Sequence, residues 1–168
     1  MIINIYDPSE VGIFRRGAAG LRVGVTSGCF DLFHHLHLVY FERCRRLCDL
    51  LVVGVDSDDL TRKSKGDGRP VIPEHQRVAM VASQKSVGAA FIMGDIEAFG
   101  RAVRELGAVV IFQNQAFGSG MAVAGSDAAE VVIVPDVDQR GSTSEIIEKI
   151  VAEHAASRRQ PREPREPC

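Results

Sequence analysis

Three histidines and an aspartate lie close together in the chain, in the ten residues from Gly28 to His37. His34 and His37 are three positions apart, so on the first turn of a helix their side chains project to the same side. Imidazoles placed there can donate hydrogen bonds to a triphosphate and to charge that develops during displacement at phosphorus. Asp31 could fix a histidine tautomer, or hold Mg²⁺ directly or through water. The spacing therefore indicates phosphate chemistry.

The position of this segment strengthens that interpretation. It follows a β-branched apolar run at residues 21–26 and leads into a helical pattern. A helix N-terminus presents unpaired N–H groups and a partial positive charge, which together bind phosphate. Gly28 is expected to adopt a backbone conformation closed to other residues. Exposed loop histidines, or a zinc site using the histidines and Cys29, are the alternatives; the glycine, the aspartate and the strand-to-helix position together favour phosphate.

Apolar runs and amphipathic stretches alternate along the chain. Strands are predicted at residues 21–26, 50–55, 89–93, 108–112 and 131–134, and helices at 38–47, 73–85, 96–106 and 145–156. Residues 56–70 are predicted to form a loop with a helical turn at its start, and residues 113–127 a loop with a short helix. This order predicts an α/β, Rossmann-like, doubly wound five-stranded parallel sheet with helices on both faces. Ligands then bind at the carboxyl ends of the strands, near the topological switch point.

Composition sets the broad class. The chain has 168 residues, 45% of them hydrophobic and 25% charged, with a net charge of −2, so no global basic field would attract nucleic acid. No apolar run could span a bilayer and the start does not read as a signal peptide, so no membrane partner and a cytoplasmic location are expected. The predicted division is an N-terminal extension at residues 1–20, a domain at 21–156, and a disordered, charged, proline-rich tail at 157–168.

The cysteines do not form a metal-binding pattern. Cys44 and Cys48 are four positions apart on a predicted helix, Cys29 lies in a loop and Cys168 ends the tail, and there is no CxxC pair. Two thiols on one helical face could be metal ligands, but packing is the better interpretation.

Three blocks of the sequence carry a resemblance to a known family. Gly28-Cys-Phe-Asp-Leu-Phe-His-His-Leu-His37 resembles the Gly-x-Phe-Asp-x-x-His-x-Gly-His (HxGH) signature of the cytidylyltransferase-like nucleotidyltransferase superfamily. Residues 57–70 with Gln76 and Arg77 resemble its second block, and residues 140–147 its Ser-Thr-Ser/Thr motif. The nearest branches are the glycerol-3-phosphate cytidylyltransferases and the nucleotidyltransferase half of the bacterial heptose-phosphate bifunctional enzymes. The similarity runs from residue 22 to residue 150.

The resemblance implies a reaction and roles for residues. A nucleoside triphosphate, CTP or ATP with Mg²⁺, would react with a phosphorylated polyol or sugar to release pyrophosphate. His34 and His37 would hold the triphosphate and stabilise the transition state, and Lys65 would neutralise charge on the α-phosphate. The residues implied to bind the nucleotide are Gly28, Cys29, Phe30, Asp31, Lys63, Arg77, Gln113, Ser142, Thr143 and Ser144.

Each of these roles has a structural alternative. The lysines could belong to a solvated basic loop, Ser142, Thr143 and Ser144 to a helix cap, and Arg77 to a surface ion pair. A homodimer is also implied by the resemblance.

The sequence departs from the family pattern at the expected pocket. Leu36 stands where the signature has glycine between its histidines. At residues 113–115 the chain has Gln-Asn-Gln, where relatives usually have a glycine together with a lysine or an aspartate. Val137 stands where the glycerol-phosphate branch has arginine. Arg140 lies nearby and could serve instead. A catalytically impaired, nucleotide-binding homologue is therefore the alternative function.

Overall fold

The computed structural model describes residues 5–6, 17–115, 123–135 and 143–159. The chain divides into two compact units, Met1–Val137 and Asp138–Cys168. The first unit contains the strands β1 (Ile5–Tyr6), β2 (Val23–Gly28), β3 (Leu50–Asp56), β4 (Ala89–Met93), β5 (Val110–Asn114) and β6 (Glu130–Val134). Its helices are α1 (His35–Arg45), α2 (Asp58–Lys65), α3 (Glu74–Ala82) and α4 (Ile96–Leu106). In the second unit, the described residues form one helix, α5 (Thr143–Arg159).

All the strand pairs are parallel, in the spatial order β1-β4-β3-β2-β5-β6. The chain builds outward from β2 in one direction through β3 and β4, and then returns to the other side of β2 with β5 and β6. The order therefore reverses between β2 and β5, which is the switch point that the sequence pattern predicts for ligand binding.

The sheet is covered on both faces, as its apolar strands require. On one face, Phe41 and Cys44 of α1 and Val81 of α3 pack against the sheet. On the other face, Phe99 and Val103 of α4 do so. The expected Rossmann-like architecture with helices on both faces is thus confirmed.

Cys44 on α1 and Cys48, three residues after the end of that helix, are both part of the core, as expected from the sequence. Cys44 and Cys48 are buried, and burial raises the pKa of the Cys44 thiol to about 12. A thiol held in its protonated form is an apolar packing group, so the packing interpretation is confirmed.

The five expected strands and four expected helices are present, and the differences have local causes. Within residues 56–70, which the sequence predicts to be a loop, the structure has the eight-residue helix α2. Ser57 caps it by accepting a hydrogen bond from the Leu60 N–H (3.1 Å), and acids in its first turn and bases in its last complement the helix dipole. The helix has few apolar residues, so the hydrophobic pattern did not reveal it.

Both ends of the chain contribute more regular structure than expected. Ile5 and Tyr6 form a short sixth strand that pairs with Ala90 and Phe91 of β4, so part of the N-terminal extension belongs to the sheet. At the other end, α5 begins at Thr143 and continues to Arg159, three residues into the predicted disordered tail. The remainder of the tail lies outside the described residues.

None of the described helices is long and apolar enough to cross a bilayer.

Candidate active site

The predicted site residues gather at the carboxyl ends of β2 and β3. The motif loop, residues 28–34, connects β2 to α1, and His34 is the residue that precedes the first turn of α1. The basic segment, residues 62–69, comprises the last turn of α2, which is the helix after β3, and the residues that follow this helix. Because the strands are parallel, both segments lie at the same edge of the sheet.

The motif loop is tight, and its glycine has a different purpose from the one expected. Gly28 is not among the residues with positive φ; instead, Phe30 (φ 50°) and Leu32 (φ 46°) adopt the left-handed conformation. A β-carbon on Gly28 would lie 3.1 Å from the Phe30 ring. Gly28 is therefore needed so that this ring can fold back over the end of β2. Non-glycine residues in this conformation are strained and are maintained only when their surroundings enforce it.

The Asp31 carboxylate is the main enforcing contact. Its side chain has no solvent exposure and forms an ion pair with Arg69 (Oδ2 to Nε, 2.6 Å). The backbone N–H groups of Val71 and Ile72 each donate to it at 2.9 Å, and that of Leu32 donates at 3.1 Å. Burial raises the pKa of Asp31, but these hydrogen bonds and the Arg69 charge outweigh burial and leave the pKa below its usual value. Asp31 thus fixes the motif loop to the segment that follows α2.

This geometry does not fit the magnesium role expected for Asp31. Each carboxylate oxygen already accepts two hydrogen bonds, which fills its lone-pair directions. Within residues 17–115 and the other described ranges, no group of three or more His, Cys, Asp or Glu side chains could hold a metal ion. Asp31 is instead an anchor for the loop.

Arg77 also joins the motif loop to the segment that follows α2. It is 1% exposed, and its guanidinium donates to the Ile72 carbonyl (2.8 Å), to the Cys29 carbonyl and to the Asp58 carboxylate (2.8 Å). A guanidinium occupied in this way positions the loops rather than reaching a ligand, so the structure disfavours the direct nucleotide contact and the surface ion pair considered for Arg77. Asp58 lies in the first turn of α2, so Arg77 also fixes the helix that carries the basic segment.

His37 is held by aromatic rings and by a backbone hydrogen bond. Its imidazole lies 5.1 Å from the Phe33 ring in a stacked arrangement and 5.4 Å from the Phe30 ring edge-on. The His34 N–H donates to His37 Nδ1 at 3.2 Å. Because Nδ1 is an acceptor, the proton of the neutral ring is on Nε2, which makes Nε2–H the donor available to a ligand.

The histidine pair is electrically neutral in this environment. The two imidazole centroids are 4.0 Å apart. Burial, then the neighbouring His34 and Lys65 charges, lower the pKa of His37 to about 3. Burial and the His35 charge also lower the pKa of His34. At neutral pH the pair therefore offers hydrogen bonds to a phosphate rather than positive charge.

The positive charge comes from Lys65, the last residue of α2. Its side chain is exposed, yet its charge lowers the pKa of His37 and opposes the rise in the pKa of Asp56, which places it within electrostatic reach of these two groups. Asp56 ends β3, and burial raises the pKa of its carboxyl group against the opposing charges of Lys65 and Arg77. Lys63 is also exposed on α2. The structure thus brings Lys65 and the histidines together.

The other predicted residues have different surroundings. Cys29 and Phe30 are buried, and the Cys29 sulfur accepts a hydrogen bond from Thr61 (3.5 Å). Gln113 is half-buried near the end of β5. Thr143 and Ser144 begin α5 in the second unit, while Ser142, Val137 and Arg140 lie outside the described residues. Nucleotide binding by these residues remains a prediction.

Leu36, the departure from the signature, is the second residue of α1 and has no positive φ. The helix therefore does not need a glycine at this position for its backbone conformation.

Sequence reasoning did not identify the supporting residues Phe33 and Asp56, or the role of Arg69 as the partner of Asp31. Their types are common in any protein, and only the three-dimensional contacts distinguish them.

Replacement of Asp31 by asparagine tests the loop anchor. Asp31→Asn leaves the Arg69 side chain, which is only 14% exposed, without its counter-charge, so we expect the free energy of unfolding to fall by about 3 kcal/mol in a urea titration. The matched control is Asp59→Asn. Asp59 also pairs with an arginine, Arg62, but its side chain is 77% exposed, so the loss should stay below about 1 kcal/mol. Equal losses in the two variants would contradict the anchor.

The His37 environment predicts a pH dependence of stability. Unfolded histidine titrates near pH 6.5 and folded His37 near pH 3, so the stabilisation is complete above pH 6.5 and is lost as the pH falls towards 3, by up to about 1.4 kcal/mol per pH unit. His37→Gln should flatten this loss in urea titrations between pH 7.5 and 5. The exposed His75 provides the control, because His75→Gln should retain the wild-type slope. A His37→Gln slope equal to that of the wild type would refute the assignment.

Comparison with known proteins supports what the geometry indicates. The sequence model of the cytidylyltransferase-like family matches residues 25–149. The chain is 31% identical over 133 residues to a bifunctional protein HldE of Helicobacter pylori, which covers 79% of the chain and 28% of that protein. It is 32% identical over 146 residues to the HldE of Citrifermentans bemidjiense, covering 84% and 30% respectively. The chain thus spans less than a third of the curated relatives that it matches.

Solved structures show the same fold. A lipopolysaccharide core biosynthesis protein from Thermoplasma volcanium superposes with a TM-score of 0.56 at 25% identity, covering 70% of the chain and 98% of that protein. A pantoate-beta-alanine ligase from Francisella tularensis superposes with a TM-score of 0.61 at 11% identity, covering 95% and 80%. At 11% identity, the similarity to the ligase shows only that the two proteins share a fold. With the family match spanning most of the folded residues, the chain belongs to the cytidylyltransferase-like family of nucleotidyltransferases.

Proposed function

We propose that this chain transfers a nucleotidyl group from CTP or ATP to a phosphorylated sugar or polyol and releases pyrophosphate. The observation that carries the proposal is the pair of neutral imidazoles at the start of α1, with the charge of Lys65 within reach. The pair stands beside the switch point of a parallel sheet, in a chain that belongs to a nucleotidyltransferase family.

The reaction is a single displacement at phosphorus. An oxygen of the acceptor phosphate attacks the α-phosphorus, the bond from that phosphorus to the bridging oxygen breaks, and pyrophosphate leaves with the electron pair. A phosphate monoester is already largely ionised at neutral pH, because its second pKa is about 6, so the attack needs no general base. Catalysis then depends on positioning and on stabilisation of the negative charge.

The described residues supply both of these. His37 donates from Nε2 to a phosphate oxygen, because its Nδ1 accepts from the His34 N–H and the proton of the neutral ring is therefore on Nε2. The N-terminus of α1 adds the partial positive charge of the helix dipole. Lys65 supplies a full charge from the opposite segment. Because Asp31 and Arg77 hold the two segments together, the donors stay in place before the nucleotide arrives.

Relatives point to the class of acceptor. The bifunctional HldE proteins align with most of this chain, and a structural neighbour is described as a lipopolysaccharide core biosynthesis protein. These support a phosphorylated sugar as the acceptor to test first. The magnesium ion, the cytoplasmic location and the homodimer remain predictions from the sequence, and light scattering would test the dimer.

An assay for pyrophosphate release tests the reaction. The purified chain is incubated with CTP or ATP, Mg²⁺ and a panel of phosphorylated sugars and polyols. We expect release with one pairing, and a decrease in kcat of about 100-fold in His37→Ala, because one transition-state donor is lost. His75→Ala, on the exposed side of α3, should retain the wild-type rate.

The same assay addresses the alternative function. Nucleotide binding without pyrophosphate release across the panel would favour a non-catalytic nucleotide-binding protein, and activity gained in Leu36→Gly would identify Leu36 as its cause. Turnover that is unchanged in His37→Ala would reject the proposed role of the histidine pair.

A further inference from the structure

The two strands at the switch point separate before they end. The ladder between β2 and β5 pairs Gly24 with Val110 and Val25 with Ile111. Beyond it, the Thr26 hydroxyl donates to the Phe112 carbonyl at 3.0 Å. A side chain thus replaces the backbone ladder at the carboxyl ends of these strands, where parallel sheets bind ligands.

Continuing the parallel register places Asn114, the last residue of β5, beside Gly28 at the start of the motif loop. Successive residues of a strand face opposite sides of the sheet. Phe112 packs in the core cluster that contains Phe41 of α1, while Ile111 packs in the cluster of α4. Asn114 therefore lies on the α1 side of the sheet, which is the side of the histidine pair, and Gln113 lies on the opposite side.

The amide oxygen of Asn114 is buried and has no hydrogen-bond partner among the residues that the structure describes. Leaving a buried acceptor unsatisfied costs about 1–3 kcal/mol, so such a group in a folded protein needs an explanation. A bound ligand that donates an N–H or O–H group would provide one.

The charges on the two sides of the motif loop indicate which part of a ligand Asn114 would contact. On the β3 side, Lys63 and Lys65 give the basic segment its positive charge, which suits phosphate. The β5 side ends in three uncharged amides, at residues 113–115. Amides suit the uncharged part of a nucleotide, whose base amino group and ribose hydroxyls are hydrogen-bond donors.

We propose that Asn114 determines nucleotide specificity by accepting, at its amide oxygen, a hydrogen bond from the nucleoside part of the triphosphate. This rests on the proposed function, in that the chain must bind a nucleoside triphosphate. The donor is either the amino group of the base or a ribose hydroxyl, and both would satisfy the same buried acceptor.

Steady-state kinetics and binding titrations of Asn114→Ala test this assignment. We expect the KM and Kd for the nucleotide to rise about 10-fold, because one buried hydrogen bond is lost. The value of kcat and the KM for the acceptor should change less than 2-fold, which a general disturbance of the site would not produce. Gln84→Ala, which removes a half-buried amide just beyond the end of α3, is the matched control and should bind as the wild type does.

Nucleotide analogues identify the donor. If the base amino group donates, the wild type should prefer CTP to UTP or ATP to ITP, and Asn114→Ala should lose that preference. If a ribose hydroxyl donates, the penalty for a 2′-deoxy or 3′-deoxy nucleotide should vanish in the variant instead. Either pattern supports the proposal. The Asn114→Ala mutation and the analogue would remove the same contact, so their losses of affinity would not add.

Other outcomes overturn it. Nucleotide affinity in Asn114→Ala equal to that of the wild type, whether or not its melting temperature falls, would show that the amide has only a structural role. An equal loss in Gln84→Ala, or a loss with no analogue preference to remove, would also reject the assignment. A wild-type chain that binds none of the four nucleotides would refute the proposed function itself, which distinguishes the two failures.

Discussion

The buried carboxylate of Asp31 is the interaction on which the site depends. It accepts hydrogen bonds from a segment some forty residues further along the chain and pairs with Arg69 there. These contacts help to offset the left-handed conformations of Phe30 and Leu32. Arg77 secures the same junction from the core side. Binding residues separated in sequence are thereby fixed before a ligand arrives, which reduces the ordering that binding would otherwise require.

This rigid junction allows hydrogen-bonding chemistry to be separated from charge. His37 packs against the Phe30 and Phe33 rings, and burial keeps it unprotonated at neutral pH, so its Nε2–H is a donor of fixed direction. Lys65 is exposed and supplies the charge. A donor with fixed direction and an exposed cation on the facing segment together suit a group whose negative charge is redistributed during reaction.

Much of the fold follows from local pattern, and much of the site does not. Strand β4 begins and ends where the apolar run at residues 89–93 does, because a continuous apolar segment of this length is most readily buried as a central strand. Helix α2 is short and charged, and it is stabilised by capping and by contacts that no periodicity reveals. The histidines were predictable from their spacing. The anchoring role of Asp31, the reason for Gly28 and the buried amide of Asn114 depend on partners far away in the sequence.

The central claim is that the triphosphate lies between the start of α1 and the basic segment. A crystal structure of the chain with a CTP or ATP analogue that carries a non-cleavable α–β bridge would test it most directly. We expect phosphate oxygens at about 3 Å from Nε2 of His37, with the Lys65 ammonium facing them. Phosphates bound elsewhere, or an Nε2 atom of His37 without a phosphate partner in the occupied complex, would contradict the account.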